Sequence, residues 1–256
     1  MSGCLEPQRV SVRDIPHWAR ESWQLLWRRP LGFLAASLAY HGLALSSQSI
    51  PWIALLLSVL LCYMLLVVVI AGAEAADHSR PLGVARIYAM LRRVVVSLSL
   101  LTAFYLCIFI AAAVITAMLF PSLPAGEEPA REPLAILLWI EPGELSFMIL
   151  YMGIIVTSTW FLAPLLALHE LGLHDARALA KRAFVKNDIV VLLASNVPFF
   201  TILGCALITN VSVSLSPLLV PLIAIYQYVA YRHVFLGRRE NAPQPAKAAV
   251  GETAFN

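Results

Sequence analysis

Ionisable side chains set inside long apolar runs are where this sequence has room for chemistry, and there are few of them. His41 is the clearest case. An ionisable group at membrane depth is costly and commonly marks a pathway or a proton relay. Ser37, His41, Ala44 and Gln48 recur at helical spacing and share one face. Asn196, Leu203 and Asn210 share another, and Ser216, Gln227 and Tyr231 a third. Such stripes either line a route for a solute or hydrogen-bond helices together, the latter at about 0.6 kcal/mol each. The bonding reading is preferred, because no Asp, Glu, Lys or Arg accompanies His41 in the core. The same absence argues against ion-coupled pumping, which typically uses buried carboxylates.

Two further constellations are weaker. His169-Glu170 with His174-Asp175 suggests a metal, but Gly172 interrupts the helix between the histidines and no third ligand has diagnostic spacing. Glu141 and Glu144 pair as a general acid and base only if a cleft lies beside them, and none is implied. No P-loop, GxSxG, HExxH or strand-borne GxGxxG is present. The expectation is therefore a protein that is not an enzyme, with no cofactor and no metal.

The elements that hold these residues follow from composition. Of 256 residues, 60% are hydrophobic and 13% charged, against about 25% charged in a soluble domain. The apolar residues form long runs rather than alternating patterns, which excludes a β-sandwich, a Rossmann-type sheet and a transmembrane barrel. Four Cys show no CxxC pairing, and those inside apolar runs act as small hydrophobes.

A spanning helix needs roughly 20 apolar residues. Six segments qualify: Leu31 to about Gln48, Ile50 to about Ala73, Val94 to Phe120, Leu145 to Leu168, Ile189 to about Val211, and Ser212 to Phe235. Ser212, Ser214, Ser216 and Pro217 mark a tight turn between the last two. The predicted fold class is all-α: a polytopic transmembrane bundle of six spans. Residues 1–30 form a cytoplasmic leader with an amphipathic helix, 31–236 the membrane domain, and 237–256 a disordered cytoplasmic tail.

Charge sets the orientation. Of the 18 Lys and Arg, all but Arg131 fall on one side of this six-span arrangement. Such sorting is the mark of the positive-inside rule, so both termini are cytoplasmic. The loops opposite are short and uncharged, or acidic. A cleaved leader is the competing reading of the start. The polar stretch before the first apolar run is too long for one, and losing that run would break the charge pattern.

Each pair of spans is preceded by a basic amphipathic segment. His17–Arg29 carries Trp18, Trp23 and Trp27, which favour the headgroup level. Pro81–Arg93 aligns Val84, Ile87, Tyr88 and Leu91 in an apolar stripe. Asp175–Lys186 sets Ala176, Leu179, Ala180 and Ala183 against Arg177, Lys181 and Lys186, with Asp175 suited to the N-cap. Ala19-Arg20, Ala85-Arg86 and Ala176-Arg177 recur, which fits three repeats of surface helix plus hairpin. Arg86, Arg92, Arg93, Arg177, Lys181, Arg182 and Lys186 are the candidate contacts to lipid or a partner. Ala103, Cys107 and Ala111, with Gly153 and Thr157, offer small-residue faces for close helix approach. Between the third and fourth spans, residues 134–140 suggest a short interfacial helix anchored by Trp139.

Two stretches carry a family resemblance. Trp23-Gln24-Leu25-Leu26-Trp27-Arg28-Arg29-Pro30 is one. Phe161-Leu162-Ala163-Pro164-Leu165-Leu166-Ala167-Leu168-His169, followed by the basic helix through Lys186-Asn187, is the other. They resemble an uncharacterised family of bacterial inner-membrane proteins built from amphipathic helices and hairpins. The plan is also similar to the membrane domain of some glycerophosphodiester phosphodiesterases, whose hydrolase domain is not present. The resemblance implies a bacterial inner-membrane location and supplies no site.

The expected function is that of an integral inner-membrane protein that organises or assists a membrane complex, its basic helices gripping anionic lipid or a partner subunit. Membrane lipids, another complex subunit or further copies of the chain are the expected partners; nucleic acid is not, because the basic residues hug span ends. The alternative is a small-molecule or lipid permease using the polar stripes of spans one, five and six.

Overall fold

The computed structural model describes residues 5–46, 51–119, 157, 159–169, 171–196 and 211–237. Among these the regular elements are all helical. Ser11 begins the first: its Oγ accepts from the Arg13 N–H at 3.3 Å while its own N–H donates to Asp14 at 2.9 Å. This reciprocal cap opens a 3-10 turn, Val12–Asp14, that leads into α1, Ile15–Arg28, with Pro16 in its first turn, where a missing N–H costs nothing.

Trp18, Ser22, Leu25 and Leu26 form the buried face of α1. Trp23 and Trp27 lie outside it and are exposed, their rings edge to face at 5.8 Å. The expectation that all three tryptophans sit at headgroup level is thus corrected for Trp18. It falls on the packed face and is enclosed between Tyr226 and His233.

The helix stops at Arg29, whose φ of −145° and ψ of 55° are not helical. The residue before a proline is pushed out of the α region, and Pro30 then starts α2, Pro30–Ser46. α3, Pro51–Asp77, follows. It ends in a Schellman motif: Arg80 N–H bonds the Ala75 carbonyl and Ser79 N–H the Ala76 carbonyl, with Ser79 at φ 53°.

α4 runs unbroken from Val84 to Leu119, about 54 Å at 1.5 Å per residue. The separate surface helix expected at 81–93 is therefore the first part of this long helix. Nothing between Arg92 and Val95 breaks it: there is no glycine, proline or capping residue. Val84 and Tyr88 of the expected apolar stripe are exposed, and so are Ala103, Cys107 and Ala111.

The expected fourth span is interrupted. Residues 157 and 159 are helical, Trp160-Phe161 forms a turn, and α5, Leu162–Leu168, resumes and is buried from Leu162 to Ala167. α6 covers Leu173–Lys186. Its N-cap is Gly172 and no side chain bonds there. The expected cap, Asp175, sits inside the first turn and meets the helix dipole instead. Asn187 ends α6 with φ −136° and ψ 37°, and α7 occupies 188–196.

α8, Val211–Tyr231, runs straight through Ser212 to Pro217 and through Pro221. The tight turn expected there is helix. A proline removes one ladder bond, and serine side chains and neighbouring helices can satisfy the freed carbonyl. A π-helical turn, Arg232–Leu236, ends the element, and Gly237 leaves it at φ 75°.

α3 is the hub: it packs against α2, α4, α5 and α8. α1 lies along α8, and α6 against α5. Among the described residues one helix, Leu218–Leu236, is long and apolar enough to cross a membrane by length and composition. The tail from 238, the interfacial helix expected at 134–140, the first part of the expected fourth span and the end of the fifth lie outside the described residues.

Candidate functional site

The middle of α1 and the C-terminal ends of α3 and α8 bring together a set of charged side chains. Helical spacing places them. His17 and Glu21 are one turn apart on α1, Glu74 and Asp77 share a face of α3, and Tyr228 and Arg232 share a face at the end of α8. Arg232 donates through one guanidinium nitrogen to Asp77 at 2.8 Å and through the other to Glu21. The Tyr228 hydroxyl donates to the second Asp77 oxygen at 3.0 Å. Glu21 also accepts from His233 Nε2 at 2.9 Å and meets His17 Nε2 at 2.9 Å. Arg86 pairs with Glu74 at 2.8 Å.

Arg232 and Asp77 side chains are each 12% exposed and His233 7%, so solvent screens this network weakly. Burial raises the Glu21 pKa, but the His233 hydrogen bond and the charges of Arg232, His233 and His17 outweigh it and hold the carboxyl below its usual range. The His233 ring is fixed by Trp18, at 5.9 Å, and by an edge-to-face approach to His17, also at 5.9 Å.

A second polar network ties the chain's start to the end of α6. The Asn187 side-chain carbonyl accepts from Val10 N–H at 2.8 Å, and its amide donates to the Gln8 carbonyl at 2.9 Å. Gln8 N–H donates in turn to the Val234 carbonyl at 2.6 Å. Residues 8–10 thus strap the α6–α7 joint to the turn after α8. His169, beyond α5, bonds Tyr231, and burial pushes its pKa below the ordinary histidine value.

Among the described residues each intramembrane candidate meets a polar partner, Asn196 and Gln227 both on the 157–160 segment. His41 Nδ1 donates to the Ser37 carbonyl at 2.7 Å within its own helix. Asn196 donates to Thr157 Oγ1 at 3.0 Å and to the Leu192 carbonyl at 2.8 Å, and Thr157 bonds Ser195 at 2.9 Å. Buried Gln227 donates to the Trp160 carbonyl. Gln48, Asn210, Glu141 and Glu144 lie outside the described residues. His174 is exposed, while His169 turns to Tyr231.

The basic candidates divide in two. Arg86 is held by Glu74, and Arg93 donates to the Ala167 carbonyl at 3.0 Å. Arg92, Arg177, Lys181, Arg182 and Lys186 are exposed. Arg177 stands over the Phe104 ring at 5.8 Å and Lys186 approaches Glu6 at 3.8 Å. Lys181, Arg182 and Lys186 flank a shallow groove with Ala178 and Val185.

Sequence reasoning missed the cluster of Glu21, Asp77, Tyr228, Arg232 and His233. Glu74 and Asp77 at the end of an apolar run, and Arg232 at the end of another, were the available signal. Comparison with known proteins adds no assignment: no family model, curated protein or solved structure matches the chain.

Proposed function

We propose that the chain is a six-span integral protein of a bacterial inner membrane, built from three repeats, which organises a membrane complex through the outer face of α6. One observation carries this reading. The buried alanines Ala176, Ala180 and Ala183 moor α6 to the bundle, while Lys181 and Arg182 are exposed beside Val185, with exposed Arg177 over the Phe104 ring and Lys186 near Glu6 at their two ends. A helix held by its small residues and offering several cations next to an apolar residue suits an anionic leaflet or an acidic partner subunit. Each cation near such a leaflet contributes about 1 kcal/mol.

Outward-facing apolar side chains support the membrane setting. Leu31, Leu34 and Leu38 on α2, Val96, Leu100 and Phe104 on α4, and Ile189, Leu192 and Leu193 on α7 are exposed. Rows of exposed apolar side chains along three helices suit a lipid-facing surface. The repeat is supported by the matching joints at Arg29 and Asn187. In the second repeat, surface helix and span are fused in α4.

The permease alternative needs the polar groups of three helices to share a path. Asn196 and Gln227 instead bond neighbouring segments, which favours the organising role. Reconstituted vesicles decide. With Arg177→Glu and Lys181→Glu together, co-purification of anionic lipid and of partner subunits should fall several-fold while the fold persists. Wild-type-dependent solute uptake that disappears in a folded His41→Leu protein would instead establish the permease.

A further inference from the structure

His17, Glu21 and His233 present three ligand atoms within 4.8 Å of one another. We propose that they form a divalent transition-metal site, with Zn(II) the best-fitting ion, that clamps α1 to the turn after α8. Two imidazoles and one carboxylate, with water completing a tetrahedron, are a zinc donor set. Metal–ligand bonds of about 2.0–2.1 Å are reached by small side-chain rotations, because His17 Nε2 and His233 Nε2 already stand 2.9 Å from the two oxygens of Glu21.

The surroundings are those of a supported site. Trp18 packs on the His233 ring and fixes its plane. Arg232 reaches Glu21 Oε2 and is itself neutralised by Asp77, so Oε1 is the oxygen left for the ion. A ligating carboxylate oriented by a hydrogen bond from outside is common in metal centres. His233 is nearly enclosed, whereas the His17 side chain is 42% exposed, which leaves an entry path. On binding, each neutral imidazole carries its proton on Nδ1 and offers the Nε2 lone pair; any imidazolium releases its proton to solvent.

The test uses the full chain, free of any histidine tag, in detergent and stripped with a chelator. Zn(II) is titrated by calorimetry, and Co(II) is followed by visible absorption, which is intense only for a tetrahedral site. The expectation is one ion per chain, a thermal midpoint that rises with Zn(II), and at least tenfold weaker binding in His17→Gln. His17 is the chosen position because its exposure lets the variant fold. Glu21→Gln should weaken binding similarly, and His174→Gln should match wild type. Absence of saturable binding in wild type, or binding unchanged in a folded His17→Gln protein, would overturn the site.

Discussion

The α1–α2 joint and the α6–α7 joint are the same device put to different uses. Each has a 14-residue helix, one non-helical residue, and a second helix that starts immediately. Three of the four buried positions of α1 match those of α6: Trp18, Ser22 and Leu25 against Ala176, Ala180 and Ala183, while buried Leu26 falls opposite partly buried Phe184. Beyond the joint, Phe33 and Ser37 match Val191 and Ser195, all buried. Exposed Trp27 and Val185 also coincide. What differs is where the charge goes. α1 turns Glu21 inward to Arg232 and His233, and its joint bonds the end of α3 through Arg28 to Ala76 and Arg29 to Arg80. α6 seats itself with alanines and keeps its cations at the surface, Arg177 over the Phe104 ring and Lys186 near Glu6. One backbone plan thus gives one helix that locks the bundle and another that is free to engage something else.

The largest effect should come from breaking the lock. Arg232→Ala removes the partner of two poorly solvated carboxylates, which costs about 3–5 kcal/mol in comparable buried pairs. Arg182→Ala on the outer face of α6 should stay within about 0.5 kcal/mol. Thermal or denaturant unfolding in detergent compares them directly, and similar losses would erase the distinction.

Next comes the strap. Asn187→Ala leaves the Gln8 carbonyl and Val10 N–H without their partner, at about 1–3 kcal/mol if both stay buried. Limited proteolysis should then cut before α1 much faster than in wild type. Equal rates would mean that the start of the chain is held by other contacts.

A smaller effect separates the two regions by pH. His169 has a lowered pKa in the folded state, so the unfolded chain binds more protons there. Its contribution is complete above pH 6.5 and falls as the pH drops below that value. Glu21 is also lowered: its contribution is complete above pH 4.5 and is lost as the pH falls through its folded value. Stability measured against pH should decline first in the His169 window, and His169→Gln should flatten that window alone. A wild-type curve flat from pH 7 to 5 would contradict this.

Much of the helical layout was readable because it depends on local pattern. α6 was expected from Asp175 to Lys186 and spans Leu173–Lys186; the last helical element was expected to end at Phe235 and ends at Leu236. Local pattern also misled. Pro217 reads as a breaker, yet a long apolar helix absorbs it. Trp160-Phe161 turns because Pro164 has no N–H for the Trp160 carbonyl and its ring crowds that oxygen, which Gln227 takes instead. The charge network was illegible for a different reason. Arg232 finds Asp77 across 155 positions and Glu21 across 211, and no local rule joins residues so far apart. In the proposed metal-ligating trio His17 and Glu21 are one turn apart, but His233 lies 212 positions from Glu21, while the histidines near in sequence, His169 and His174, were the ones that drew attention.

The central claim is that both 14-residue helices lie on the same, cytoplasmic face of a six-span protein. Single-cysteine variants at Ala19 and Ala178, both exposed positions, test it with a membrane-impermeant thiol reagent, the native cysteines being replaced and a variant at Ala125 serving as the outside reference. Intact cells should label only the Ala125 variant, and opened cells all three. Labelling of Ala19 or Ala178 in intact cells would contradict the shared face and with it the pairing of the two joints.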